Sequence, residues 1–211
     1  MTEQASGHDR GSMVRRGVMA GFLGAGLFLL YPEVIPIVGA SWLLFMLGEA
    51  WYGRGDLPRA LENYNQALAI KRTLRDYRGQ AQALVNLGYT YSSLSDPTKA
   101  RDAILEARAL AVQSQTAYWE ARSLRALGIV YTRMGEYQSA LNSFLEALEI
   151  FKVIDDRLTQ ATVLAGIGFT FENLGEEKKA LDYDDEAIAI FREIRNVWGE
   201  AELQMDSGRV H

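Results

Sequence analysis

The chain has 211 residues, 48% of them apolar, with 27 acidic against 22 basic side chains and a formal charge of −5. That is enough to bury a core, and the acidic balance excludes a broad nucleic-acid-binding surface. It has no cysteine, which excludes disulfides, thiolate metal sites and a cysteine nucleophile. Its two histidines, His8 and His211, lie near opposite ends, where a triad or metal site would lack rigid support. No catalytic residue, metal or cofactor is therefore expected, and the chain reads as a non-enzyme.

In chain order, residues 1–12, MTEQASGHDRGS, are polar and are expected to be disordered, with Met13 a second candidate start. Arg15 and Arg16 then precede fifteen uncharged residues, Gly17 to Tyr31, and a proline-containing stretch ending Val38-Gly39-Ala40. A basic region, an apolar region and small residues form the order of a secretory signal, with cleavage after Ala40. The apolar run falls short of the ~20 residues that span a bilayer. An anchor continuing past Pro32, or an apolar helix folded against the first repeat, are the alternatives. Residues 13–40 are assigned as signal peptide or membrane anchor. The expected location is membrane-anchored or exported, with the arginines cytoplasmic and the remainder on the other side; a cytoplasmic chain is the alternative.

Downstream, sliding the sequence against itself by 40 residues aligns Gly48, Gly88, Gly128, Gly168 and Gly208. The first four keep the same company. Leu44, Leu84, Leu124 and Leu164 stand before them, then Leu47, Leu87, Leu127 and Ile167; after them stand Trp51, Tyr91, Tyr131 and Phe171. Recurrence at i, i+3, i+4 and i+7 is one stripe of a helix. A turn signal follows at Gly55, Ser95, Gly135 and Gly175, where a helix C-terminus favours a residue tolerant of positive φ. A second helix resumes with Ala60, Ala100, Ala140 and Ala180, then Ala67, Ala107, Ala147 and Ala187. No stretch alternates as a strand would.

The spacing predicts an all-α chain. It is an α-solenoid of stacked antiparallel helix pairs over 41–211, with units 41–80, 81–120, 121–160 and 161–200 and a partial unit 201–211, preceded by an apolar N-terminal helix. The recurring glycines read as packing residues at helix crossings. Their helix-propensity cost of roughly 1 kcal/mol is offset by burial of neighbours such as Leu127 and Tyr131. One hairpin cannot cover its own apolar face, so the units must stack.

The string Leu124-x-x-Leu127-Gly128-x-x-Tyr131, followed by Gly135, Ala140-Leu141, Phe144 and Ala147-Leu148, resembles the tetratricopeptide (TPR) repeat. The 40-residue period is similar to its long-repeat branch, found in kinesin light chains, in G-protein modulators that organise spindle orientation, and in bacterial arrays that precede caspase-like domains. The resemblance implies a right-handed superhelical arc that binds proteins or peptides, usually without catalysis. A non-catalytic interaction scaffold is thus expected; the alternative is a regulatory repeat fragment of a larger multidomain protein such as a caspase-like protease.

In such an arc the first helix of each unit lines the concave side. Opposite the packing stripe stand Gln82, Val85 and Tyr89, with Asn86 beside them, then Arg122, Arg125, Ile129 and Arg133, then Phe169 and Asn173. Three arginines on one helical face, beside a column of Tyr89, Ile129 and Phe169, suit an acidic peptide, because guanidinium forks take carboxylates bidentately. Asn86 could hold a peptide backbone. Asn86 and Arg122 are placed similarly to the carboxylate clamp of chaperone-binding family members, although Phe45 and Glu49 stand where unit one would supply its clamp residues. The alternative is that the arginines pair with neighbouring acids on a solvated face. The partner expected is a protein or peptide, acidic in character, with no nucleic acid, and a membrane contact through the N-terminal segment.

Several positions depart from the pattern. In unit two Ser95, Arg101, Arg108 and Ser114 replace glycine or apolar residues. Asp184 takes the slot of Tyr64, Ile104 and Phe144, where a buried carboxylate is costly unless paired, so the second helix of unit four is expected to loosen or shift register. Gln204 and Ser207 replace leucines in the fifth unit, consistent with a polar capping helix or with a truncated product. The acidic run DYDDE, residues 182–186, falls on a predicted helix and lacks the sharp-turn glycine of a calcium loop.

Overall fold

The computed structural model describes residues 34–206. The expectations for residues 1–12, for Arg15, Arg16 and the run Gly17–Tyr31, and for Ser207, Gly208 and His211 lie outside the described residues. Among the described residues there are nine helices and no strand. They are α1 (Val34–Gly53), α2 (Leu57–Thr73), α3 (Tyr77–Ser93), α4 (Pro97–Gln113), α5 (Ala117–Met134), α6 (Tyr137–Val153), α7 (Arg157–Asn173), α8 (Glu177–Glu193) and α9 (Val197–Asp206). Each helix packs on the next, and α3 also meets α5, and α5 meets α7, so the helix pairs stack as the 40-residue period requires.

Local chemistry sets the helix ends. Asp56, Asp76, Asp96 and Asp156 accept hydrogen bonds from the backbone N–H three residues on, satisfying an otherwise orphaned donor. Within each pair the turn residue is left-handed: Gly55, Gly135 and Gly175 lie at φ 74° to 79°, and Ser95 adopts 59° in place of a glycine. Between pairs a second left-handed position, which the glycine pattern does not reveal, falls on Arg75, Gln115, Asp155 and Arg195.

The aligned glycines act as notches. A Cβ at Gly128 would stand 2.6 Å from the Phe144 ring, and one at Gly48 would stand 2.6 Å from that of Tyr64. At Gly88 the neighbour is Ile104, and at Gly168 it is Asp184. Each first helix therefore receives a side chain from its own partner helix.

Asp184 fills its notch as the other three do, and Ala180, Ala187, Ile188 and Phe191 stay buried around it. The expected loosening or register shift of α8 does not occur, since the small aspartate fits beside Gly168 without displacing the apolar stripe. In unit two, Arg101 pairs with Asp102, Arg108 reaches Glu146 of α6, and the Ser114 hydroxyl donates to the Leu110 carbonyl. These polar departures are thus satisfied at the surface.

Both ends of the array carry apolar surface. Helix α1 is described from Val34 and carries Pro36 close to that end. The assigned boundary between residues 40 and 41 lies inside this helix. Ser41, Phe45 and Gly48 face α2, whereas Ile37, Trp42, Leu43 and Leu47 are exposed. At the other end of the described residues Leu203 packs into the core, and Val197, Trp198 and Met205 are exposed.

Candidate functional site

The residues proposed for the groove fall on α3, α5 and α7, and cross-links between successive first helices bring many of them together. The Arg125 Nη2 donates to the Tyr89 hydroxyl at 2.9 Å, and the Arg133 Nη1 donates to the Ser92 Oγ at 2.7 Å. Arg122 donates to the Tyr118 hydroxyl at 3.0 Å and lies 5.2 Å from the centre of the Trp119 ring. The Thr132 and Thr170 hydroxyls share a buried bond of 3.0 Å, which ties α5 to α7.

The three arginines do not pair with acids. Among the described residues none of the ion pairs involves Arg122, Arg125 or Arg133. Their partners are neutral hydroxyls, and the Nε atoms of Arg122 and Arg125 are buried without a hydrogen-bond acceptor. A guanidinium partly withdrawn from water and offered only neutral partners keeps most of its capacity to bind a carboxylate.

Toward the N-terminal end, a cavity of about 290 Å³ opens between α1, α2 and α3, lined by Glu49, Tyr52, Gly53, Tyr64, Asn86 and Tyr89. The Asn86 Nδ2 donates to the Glu49 Oε1 at 3.0 Å, and the Tyr52 hydroxyl lies 3.1 Å from the Ser93 Oγ. Burial, first, and then the charge of Glu49 push the Tyr64 phenol well above its usual range, while Asn86 acts in the opposite direction.

Not every expected residue reaches the site. Val85 is fully buried in the core and offers a ligand no surface, a correction to its placement in the groove: the face that carries it is closed over by neighbouring helices. Asn173 turns back and donates to the Phe169 carbonyl at 2.7 Å. Phe169 is exposed on α7, Ile129 is half-buried against the core, and Gln82 is half-buried on α3. The sequence reading missed Tyr118 and Trp119 as neighbours of Arg122, and Tyr64 as a cavity wall, whereas Ser92, which meets Arg133, falls on the groove stripe that the spacing predicts. Tyr118 and Trp119 precede Arg122 by one turn and could have been found on that spacing. The DYDDE run lies on α8 with Asp184 buried and the other acids exposed, and no cluster of three or more metal-ligating side chains occurs among the described residues.

The sequence profile of the tetratricopeptide repeat matches residues 40–113, 79–153 and 119–193. No curated protein matches. Among solved structures, BtubC (BKLC) from P. vanneervenii is 20% identical with a TM-score of 0.65, over 74% of this chain and 65% of that one. A Rap protein complexed with competence and sporulation factor is 20% identical with a TM-score of 0.74, over 80% of this chain and 47% of that one. A STAND protein with a tetratricopeptide repeat sensor from Pyrococcus horikoshii is 17% identical with a TM-score of 0.68, over 79% and 26%. The chain spans less than two thirds of the length of each of these structures, and at these identities the likeness is one of fold.

Proposed function

The chain belongs to the tetratricopeptide repeat family, whose stacked helix pairs are scaffolds for protein interaction, and we propose that its first-helix face captures an extended or helical peptide of acidic character without catalysing a reaction. The observation that carries this reading is the set of three arginines on α5 whose side-chain hydrogen bonds go to neutral hydroxyls and not to acids. A carboxylate arriving there gains charge-assisted bonds that the free protein does not already make. Tyr89 and Phe169, on either side of α5, supply flanking apolar surface. The Rap protein of similar fold is complexed with competence and sporulation factor, which supports a ligand-binding reading.

Fluorescence anisotropy of a labelled hexaglutamate peptide with the full chain tests it. The expected outcome is salt-sensitive binding that falls at least about tenfold, or 1.4 kcal/mol, when Arg122, Arg125 and Arg133 are changed to glutamate. Equal binding by that triple variant, or none by the parent, overturns the reading.

The same proposal places the array at a membrane, anchored or exported, with the repeats on the extracytoplasmic side. Its support is the order of Arg15 and Arg16 before the uncharged run Gly17–Tyr31. Cell fractionation with sequencing of the mature N-terminus decides it: a soluble cytoplasmic chain beginning at Met1 or Met13 overturns the membrane assignment and leaves the groove untouched.

A further inference from the structure

We infer that the cavity between α1, α2 and α3 is a cation subsite, which takes the ammonium or guanidinium of a basic side chain. The inference rests on the peptide-binding reading above for the origin of that side chain, and it adds a second, oppositely charged contact one repeat away from the arginines.

The walls carry the argument. Tyr52, Tyr64 and Tyr89 line the space, and aromatic rings of this kind attract a desolvated cation. Glu49 supplies a full negative charge at the same wall. Its carboxylate accepts a hydrogen bond from Asn86 and enters no ion pair among the described residues. After burial, the charge of Glu49 is the next cause that raises the Tyr64 phenol above its usual range.

Nearby cations are committed elsewhere. Arg54 and Arg59 lie over the Trp51 ring at 5.4 and 4.5 Å, and Lys71 pairs with Asp76. Arg125 donates to the Tyr89 hydroxyl from α5 and lies 5.9 Å from the centre of that ring, outside the lining of the cavity. At about 290 Å³ the space lies at the small end of ligand pockets, so it suits one long side chain rather than a cofactor. Gly53, which has no side chain, lines the same space.

The repeat itself marks this position as special. Glu49 aligns with Tyr89, Ile129 and Phe169, so the column of large residues that runs along the array ends in an acid at the first unit. A partner with a basic residue at one end and an acidic residue further along would therefore lie in one direction only, its charges matched to Glu49 and to α5.

The test uses the full chain with 13C-labelled tyrosine rings, titrated by NMR with Nα-acetyl-lysine amide and with tetramethylammonium chloride, and with Nα-acetyl-glutamate amide as the control. Both cations should shift the Tyr52, Tyr64 and Tyr89 resonances with millimolar affinity while the control does not. Glu49→Gln, which keeps the acceptor for Asn86, should weaken the cations at least fivefold and leave hexaglutamate binding intact. Absent shifts at these three rings, or equal affinity in Glu49→Gln, overturn the subsite. If hexaglutamate fails to bind while the cations still shift the rings, the subsite stands and the acidic-peptide reading falls.

Discussion

Helix α1 and the later first helices carry the same stripe but meet different surroundings. Leu43 is 54% exposed, whereas its equivalents Ala83, Ser123 and Val163 are fully buried. Leu47 is 39% exposed, against 2% for Leu87 and Leu127 and 0% for Ile167. In the inner units this face is covered by the second helix of the preceding pair, as α2 covers α3 and α4 covers α5. The contrast separates two kinds of stabilisation in one repeat: contacts inside a helix pair, which every unit owns, and contacts between pairs, which the unit of α1 and α2 makes, among the described residues, only with the unit of α3 and α4.

The largest expected effect tests the between-pair contacts. Leu127→Ala should lose ~2–5 kcal/mol in urea unfolding, the usual range for a buried leucine. Leu47→Ala, at the same repeat position but part-exposed, should lose under about 1 kcal/mol; equal losses would mean that the α1 face is covered in solution. The within-pair contacts should behave the other way. Gly128→Ala and Gly48→Ala both drive a Cβ into an aromatic ring, and each should lose ~1–3 kcal/mol in the same unfolding measurement despite alanine's better helix propensity. A clear gap between the two glycines would break the comparison. The smallest effect concerns hydroxyls at one repeat position. Thr132→Val removes a buried bond to Thr170 and should cost ~0.5–1.5 kcal/mol, while Tyr52→Phe removes an exposed contact to Ser93 and should stay within about 0.5 kcal/mol by thermal unfolding.

The helix pairs were legible because glycine, its flanking leucines and the aromatic residue three positions later recur at a fixed interval, which only a repeated packing geometry demands. The slot of Tyr64, Ile104, Phe144 and Asp184 was also legible as a position. Its meaning was not, since a notch becomes apparent only when two helices are laid together. Helical spacing placed the arginines on one face of α5 but could not say whether acids or hydroxyls would meet them, because those partners arrive from α3 or from the preceding turn. Val85 shows the limit of a stripe drawn on one helix: its place between Gln82 and Tyr89, opposite the packing stripe, suggested exposure, and burial by neighbouring helices decided otherwise. The cavity was beyond reach for the same reason, as its walls come from three helices.

Because each glycine notch is filled by a side chain from the same unit, a 40-residue cassette brings its own lock and key. Tyrosine, isoleucine, phenylalanine and aspartate all serve as the key, so that joint tolerates substitution while the cassette keeps its outer shape. A whole cassette can be added or removed without altering the lock inside its neighbours, and only the seams between cassettes have to match.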